Sequence, residues 1–184
     1  LAAFSTGDAT TAEQTLLPAQ KVSAISSDVL LALSKEGVAI VPIVNGSNYV
    51  RANLIGVETL GANTFQLLSK ISDQLLQLNA SFTAIKDEHL SALSSCKQLK
   101  QLELNGTSIT NKGLASLDAF ENLEILSITQ TKATAEGISG LTKLKNLKKV
   151  YLYKTSFTSA AIAQLKQKMP GLRIDTGGYK LPIL

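Results

Sequence analysis

Apolar side chains in the second half of the chain recur on a fixed spacing. Counting from Leu99, they fall at Leu102, Leu104, Ile109, Leu114 and Leu117, with Thr107 between. A shift of 24 places lands on Leu123, Leu126, Ile128, Thr131, Ala133, Ile138 and Leu141. A second shift lands on Leu147, Val150, Leu152, Thr155, Phe157, Ile162 and Leu165. A looser copy precedes them at Leu75, Leu78, Ala80, Thr83, Ile85, Leu90 and Leu93, and a truncated one follows at Leu172 and Ile174. Leu102 and Leu104 alternate with Gln101, Glu103 and Asn105, which predicts a short strand with its apolar face turned inward. Leu114 and Leu117, three apart, predict one face of a short helix closing over the same interior.

This is the leucine-rich repeat pattern, L-x-x-L-x-L-x-x-N, with threonine in place of the final asparagine. It predicts an α/β solenoid with a parallel sheet on one face, short helices on the other, and a cap at each end. No single coil can bury its own apolar face; stacking several does. Thr83, Thr107, Thr131 and Thr155 form a ladder whose hydroxyls can satisfy backbone groups where the chain leaves each strand. Recurring four times, they read as structural. Thr110, Thr134 and Thr158 each precede a helical pattern and are expected N-caps. The first repeat has Lys86 at that place, and Asp87 beside it is a candidate cap.

The front of the chain lacks this period. Residues 1–26 are expected to be a linker or the tail of an upstream domain, because Ser5 to Thr15 is rich in Ser, Thr and Ala. Residues 27–72 are expected to form an N-terminal cap and a degenerate first repeat. There Ser27 should cap a helix over Asp28–Lys35 that Gly37 stops. Two strands, Val38 to Val44 and Tyr49 to Ile55, should follow around the turn Asn45-Gly46-Ser47, and then a helical face from Phe65 to Ile71. Residues 73–184 are expected to hold the repeats and a C-terminal cap, with Pro182 blocking further strand addition.

Composition agrees with a packed aliphatic interior: 45% of residues are apolar and only 5% aromatic, with no Trp. Net charge is +4, unevenly spread. Nine basic residues stand against one acid from Gly140 onward, which can steer an acidic partner. No stretch is long and apolar enough to be expected to span a bilayer.

Candidate chemistry is sparse. His89 is the single histidine, beside Asp87 and Glu88 at a helix start, where contiguous residues do not converge on one metal ion. A capping or surface position is expected. Cys96 is the single cysteine, expected to be a buried structural thiol. No nucleophile–base pair of a familiar type can be assembled, so no catalytic, cofactor or metal residue is assigned and the chain is read as no enzyme. Three Asn-x-Ser/Thr triplets, at Asn45, Asn79 and Asn105, match the glycosylation acceptor pattern, and two of them overlap repeat strands. The outward strand positions remain. Gln101, Glu103 and Asn105 would form an amide-rich middle, and Lys149, Tyr151, Tyr153 and Arg173 a basic end carrying two favoured interface anchors.

Several phrases together resemble a known group: Gly37-Val38-Ala39-Ile40-Val41-Pro42-Ile43, Gly46-Ser47-Asn48, Tyr151-Leu152-Tyr153-Lys154-Thr155, and Asp175-Thr176-Gly177-Gly178-Tyr179. From Ser27 to Tyr179 the chain is similar to the C-terminal leucine-rich domains of membrane-associated c-type cytochrome proteins of Bacteroidetes and Planctomycetes. That resemblance implies a haem-binding domain upstream, a membrane connection only through upstream segments, and an extracytoplasmic, periplasm-like location. The haem-attachment motif Cys-x-x-Cys-His is absent here, so this chain is expected to hold no haem. The expected function is a non-catalytic interaction or scaffolding module, with a protein partner or the upstream domain of the same polypeptide as its ligand. The alternatives are an anion-binding module for acidic polysaccharide or nucleic acid through Lys143 to Lys154, and a rigid spacer. Nucleic acid is disfavoured, and no small-molecule substrate is indicated.

Overall fold

A computed structural model describes residues 17–177. Ser5 to Thr15, Lys180 and Pro182 lie outside the described residues, as do Gly178 and Tyr179 of the terminal phrase. The chain runs α1 (Ser27–Lys35), β1 (Ala39–Pro42), β2 (Val50–Asn53), α2 (Ala62–Lys70), β3 (Leu75–Asn79), α3 (Asp87–Ala92), β4 (Gln101–Glu103), α4 (Asn111–Ala115), β5 (Ile125–Ser127), α5 (Ile138–Leu141), β6 (Lys149–Tyr151), α6 (Ser159–Lys168) and β7 (Arg173–Asp175). One 7-stranded sheet carries the strands in sequence order. β1 and β2 are antiparallel and every later pair is parallel.

The 24-residue spacing becomes strand register. Gln101 pairs with Ile125, and Ile125 with Lys149; Leu102 pairs with Leu126, and Leu126 with Val150. The inward residues merge into one core. Leu78, Leu102, Leu126 and Val150 are at most 1% exposed, and the same core runs from Leu33 in α1 to Leu172 before β7. Burying each such leucine contributes about 1.5–3 kcal/mol, so stacking supplies what short strands and helices cannot supply alone. Both threonine ladders form as expected. Thr83, Thr107, Thr131 and Thr155 each donate to the carbonyl three residues back, at 2.6–2.8 Å. Thr110 and Thr158 cap α4 and α6 by accepting from Lys112 and Ala161 N–H.

Three details depart from the sequence reading. The cap of α1 is Ser26, whose Oγ accepts from Val29 N–H at 3.4 Å, so Ser27 is the first helical residue. Asp87 does not cap its own helix. Its carboxylate reaches the next coil and accepts from Thr110 N–H at 2.9 Å and from the Thr110 hydroxyl at 2.6 Å. Asn111, one period on, reaches Thr134 in the same way: its amide oxygen accepts from Thr134 N–H at 2.9 Å, while its Nδ2 donates to the Thr134 hydroxyl at 2.8 Å. The third departure is at the chain's front. Residues 17–26, which composition places in a linker, lie against the cap. Tyr49 Oη donates to the Gln20 carbonyl at 2.6 Å, Asn48 to Val22 at 2.8 Å and Gln74 to Ser23 at 3.1 Å.

A bulge explains where that front segment sits. Val50 pairs with Leu75 but Arg51 pairs with Gln77, so Leu76 is the extra residue in β3. Leu75 joins the main core, whereas Leu76 packs with Ile43 and Tyr49 in a second cluster that Leu17, Val22 and Val44 complete. Tyr49 alternates with Val50 and Ala52, which face the main core, so Tyr49 lies on the open side of the sheet. Residues 17–22 thus cover the first strands on that side.

Candidate interaction face

The open side of the sheet is laid out by register. One row runs Arg51, Gln77, Gln101, Ile125, Lys149, Arg173, and the next runs Asn53, Asn79, Glu103, Ser127, Tyr151, Asp175. All seven residues singled out from the sequence lie on this side or on the turns that continue it, but they divide into two groups. The middle of the face is bonded to itself. Gln101 Nε2 donates to Glu103 Oε1 at 2.8 Å. Asn105 Nδ2 donates to Ser81 Oγ, and its carbonyl accepts from the Ser127 hydroxyl and from Thr129 N–H. Asn105 therefore ties three coils together, and its amide has little left to offer a ligand.

The far end is different. Lys149 pairs across with Arg173, and Tyr151 with Asp175. Lys149 Nζ stands 4.3 Å from the centre of the Tyr151 ring, and Lys154 Nζ stands 5.3 Å from that of Tyr153. Cations held over ring faces keep their charge exposed on one side while their stems cover apolar surface. Tyr153 remains 43% exposed. Lys149, Arg173, Asp175 and Gly177 border a shallow recess of about 320 Å³. The structure thus gathers Lys149, Tyr151, Tyr153 and Arg173 at one edge and keeps Gln101, Glu103 and Asn105 apart from them.

Two of the lysines in the basic segment are balanced by carboxylates of the preceding coil. Lys143 pairs with Asp118 at 3.1 Å. Lys148 and Lys100 both reach Glu124, at 2.6 and 3.3 Å. Burial pushes the Glu124 carboxyl up, but the bonds and charges of the two lysines outweigh it and leave its pKa below the ordinary carboxylate range.

The two residues with intrinsic chemistry are used structurally. His89 stacks on Phe65 with ring centres 4.5 Å apart, and its Nδ1 accepts from Lys86 N–H at 3.0 Å. It caps α3 as expected. Burial lowers its pKa, with Glu88 opposing and Lys86 assisting the shift, so the neutral ring that can accept this bond is favoured. Cys96 is fully buried, and burial raises its thiol pKa to about 11. Its place is a core column: Phe120 and Leu144, one and two periods on, are buried in the same way. Among the described residues no group of His, Cys, Asp and Glu is placed to hold a metal ion. No described helix is long and apolar enough to cross a membrane.

Sequence reasoning missed a third ladder. Phe82, Gly106, Gln130 and Lys154, each 24 residues from the last, all have positive φ, from 53° to 64°. They form the turn leaving each strand, and Phe82, Gly106 and Gln130 donate their N–H groups to carbonyls of the next coil. Only one of the four is glycine, so composition did not mark them. Phe82 is also 69% exposed, with its ring laid over Gly106.

No protein-family model matches the sequence, and no protein of curated function does. Solved structures similar to it include a leucine-rich-repeat protein of Leptospira interrogans, 19% identical with a TM-score of 0.46 over 64% of this chain. An internalin of Listeria monocytogenes is 17% identical with a TM-score of 0.43 over 66%. The chain spans 28% of the first and 39% of the second. The chain is a leucine-rich-repeat solenoid: its strand register repeats every 24 residues over one shared aliphatic core.

Proposed function

We propose that this chain is a non-catalytic protein-interaction module, and that the Lys149–Arg173 end of its open sheet face receives polypeptide. The observation that carries this reading is what the other end of the same face already does. There, side chains of Tyr49, Asn48 and Gln74 hold the carbonyls of residues 20, 22 and 23. Leu17 and Val22 fill an apolar cluster beside them. This is binding of irregular chain by side-chain donors to main-chain carbonyls, supplemented by apolar anchors. Among the described residues, no segment covers the opposite end, which offers the same ingredients: two tyrosines, with Lys149, Lys154 and Arg173 as donors. Following the resemblance, the partner in this proposal is the haem-bearing domain upstream in the same polypeptide, in an extracytoplasmic compartment.

The test uses that upstream domain as a separately produced chain. The double variant Tyr151→Ala, Tyr153→Ala is expected to weaken the complex about tenfold or more, as loss of paired aromatic anchors does. Unchanged affinity, with the variant folded by circular dichroism, removes the reading. The cluster of Lys149, Lys154 and Arg173 also favours a second reading, an acidic polysaccharide as ligand. That reading requires affinity to fall steeply with salt and to survive both tyrosine substitutions.

A further inference from the structure

The sequence contains two Asn-Gly pairs, Asn45-Gly46 and Asn105-Gly106, and the fold treats them in opposite ways. Asn45-Gly46 forms the centre of the turn between β1 and β2, closed by Ser47 N–H donating to the Val44 carbonyl at 3.0 Å. Gly46 has φ of +79° while Asn45 does not, the pattern of a type II turn. Both residues are exposed. A Cβ built on Gly46 would meet nothing within 4 Å. Among the described residues, neither the Asn45 side chain nor the Gly46 N–H has a hydrogen-bond partner.

Asn105-Gly106 has none of this freedom. The Asn105 amide is held on both sides, by Ser81 and by Ser127 and Thr129. The Gly106 N–H donates to the Thr129 carbonyl at 2.8 Å. The Phe82 ring lies directly over Gly106. The electrophilic carbon and the attacking nitrogen are each fixed by the stacking of coils.

We propose that Asn45 is a site of spontaneous deamidation in the folded protein and that Asn105 is protected by the solenoid. The Gly46 backbone nitrogen attacks the Asn45 side-chain amide carbon. A carbon–nitrogen bond forms to give a succinimide, and the bond to Nδ2 breaks. Nδ2 leaves as ammonia, carrying its own two hydrogens and the one displaced from the Gly46 nitrogen. Water then opens the ring at either carbonyl, leaving aspartate or isoaspartate at position 45. Each product places a carboxylate in the turn, and the isoaspartate adds a backbone methylene next to the Asn48–Val22 contact. That contact helps hold residues 17–23 on the cap.

The experiment incubates the protein at mildly alkaline pH, native and in denaturant, and follows the two Asn-Gly peptides by mass spectrometry with an isoaspartate-specific methylation assay. In the native protein, the unmodified Asn45 peptide should disappear at least about tenfold faster than the Asn105 peptide, because reaction at Asn105 must await local opening. In denaturant the two rates should converge. Asn45→Gln should abolish the native isoaspartate signal. Equal native rates at the two sites overturn the proposal. So does a native Asn45 that stays intact while both sites react in denaturant.

Discussion

Among the described residues, three side chains without glycine's freedom occupy the left-handed region, at Phe82, Gln130 and Lys154. For an L-residue that conformation costs roughly 1–2 kcal/mol, against about 0.5–1 kcal/mol of unfolded-chain entropy that glycine would add. Strain outweighs the entropy where the side chain contributes no packing, and Gln130 is exposed. Gln130→Gly is therefore expected to stabilise the protein by about 0.5–1 kcal/mol in urea unfolding. Gly106→Ala should do the reverse, since its φ is +64° and the new methyl would collide with the Phe82 ring. Cys96 poses a different residue-scale question. A fully buried thiol with a pKa of about 11 is protonated and shielded at ordinary pH. Iodoacetamide at mildly alkaline pH should leave it unmodified in the native protein and label it fully in guanidinium chloride; rapid native labelling would contradict its place in the core column.

At the scale of the element, β4 to β7 are only 3 residues long, and α3, α4 and α5 are a turn or two each. None would be stable alone. Their inward residues hold them, so a deletion there should act on the whole stack. Leu126 lies between Leu102 and Val150 and is fully buried. Leu126→Ala should cost about 2–5 kcal/mol in chemical denaturation, with no compensating collapse because coils on both sides are fixed by register. The helices were legible only in part. Asp87 has the chemistry of a cap and the right position in sequence, yet it bonds Thr110 one coil away. Local spacing cannot distinguish a bond made within a coil from one made between coils, because both neighbours lie within reach of the same carboxylate. The outward residues divide for the same reason. Asn105 and Tyr153 both follow a strand, but only contacts between coils show that the first is consumed and the second left exposed.

Across the whole molecule, contacts run between successive coils, so stability should be graded along the stack. The middle strands are covered from both sides, whereas in β7 Arg173 is exposed and Ile174 only half-buried. Hydrogen exchange should therefore be slowest in the amides of β4 and β5 and markedly faster in β7, with differences of at least about tenfold. A uniform exchange rate from β3 to β7 would contradict the nearest-neighbour picture.

The order of amino acids is enough to dictate the repeat: its length, its inward residues and both threonine ladders follow from side-chain types at fixed intervals. Periodicity of that kind is a property of each coil copied along the chain, and any coil displays it. What happens where copies meet or cease was settled only by folding in three dimensions. The bulge that sends Leu76 to the open side, the docking of residues 17–23, the left-handed turn at Phe82 and the opposite environments of Asn45 and Asn105 each depend on a neighbour distant in sequence. Such neighbours leave no mark on local composition, because the energy that selects them belongs to the contact and to neither residue separately.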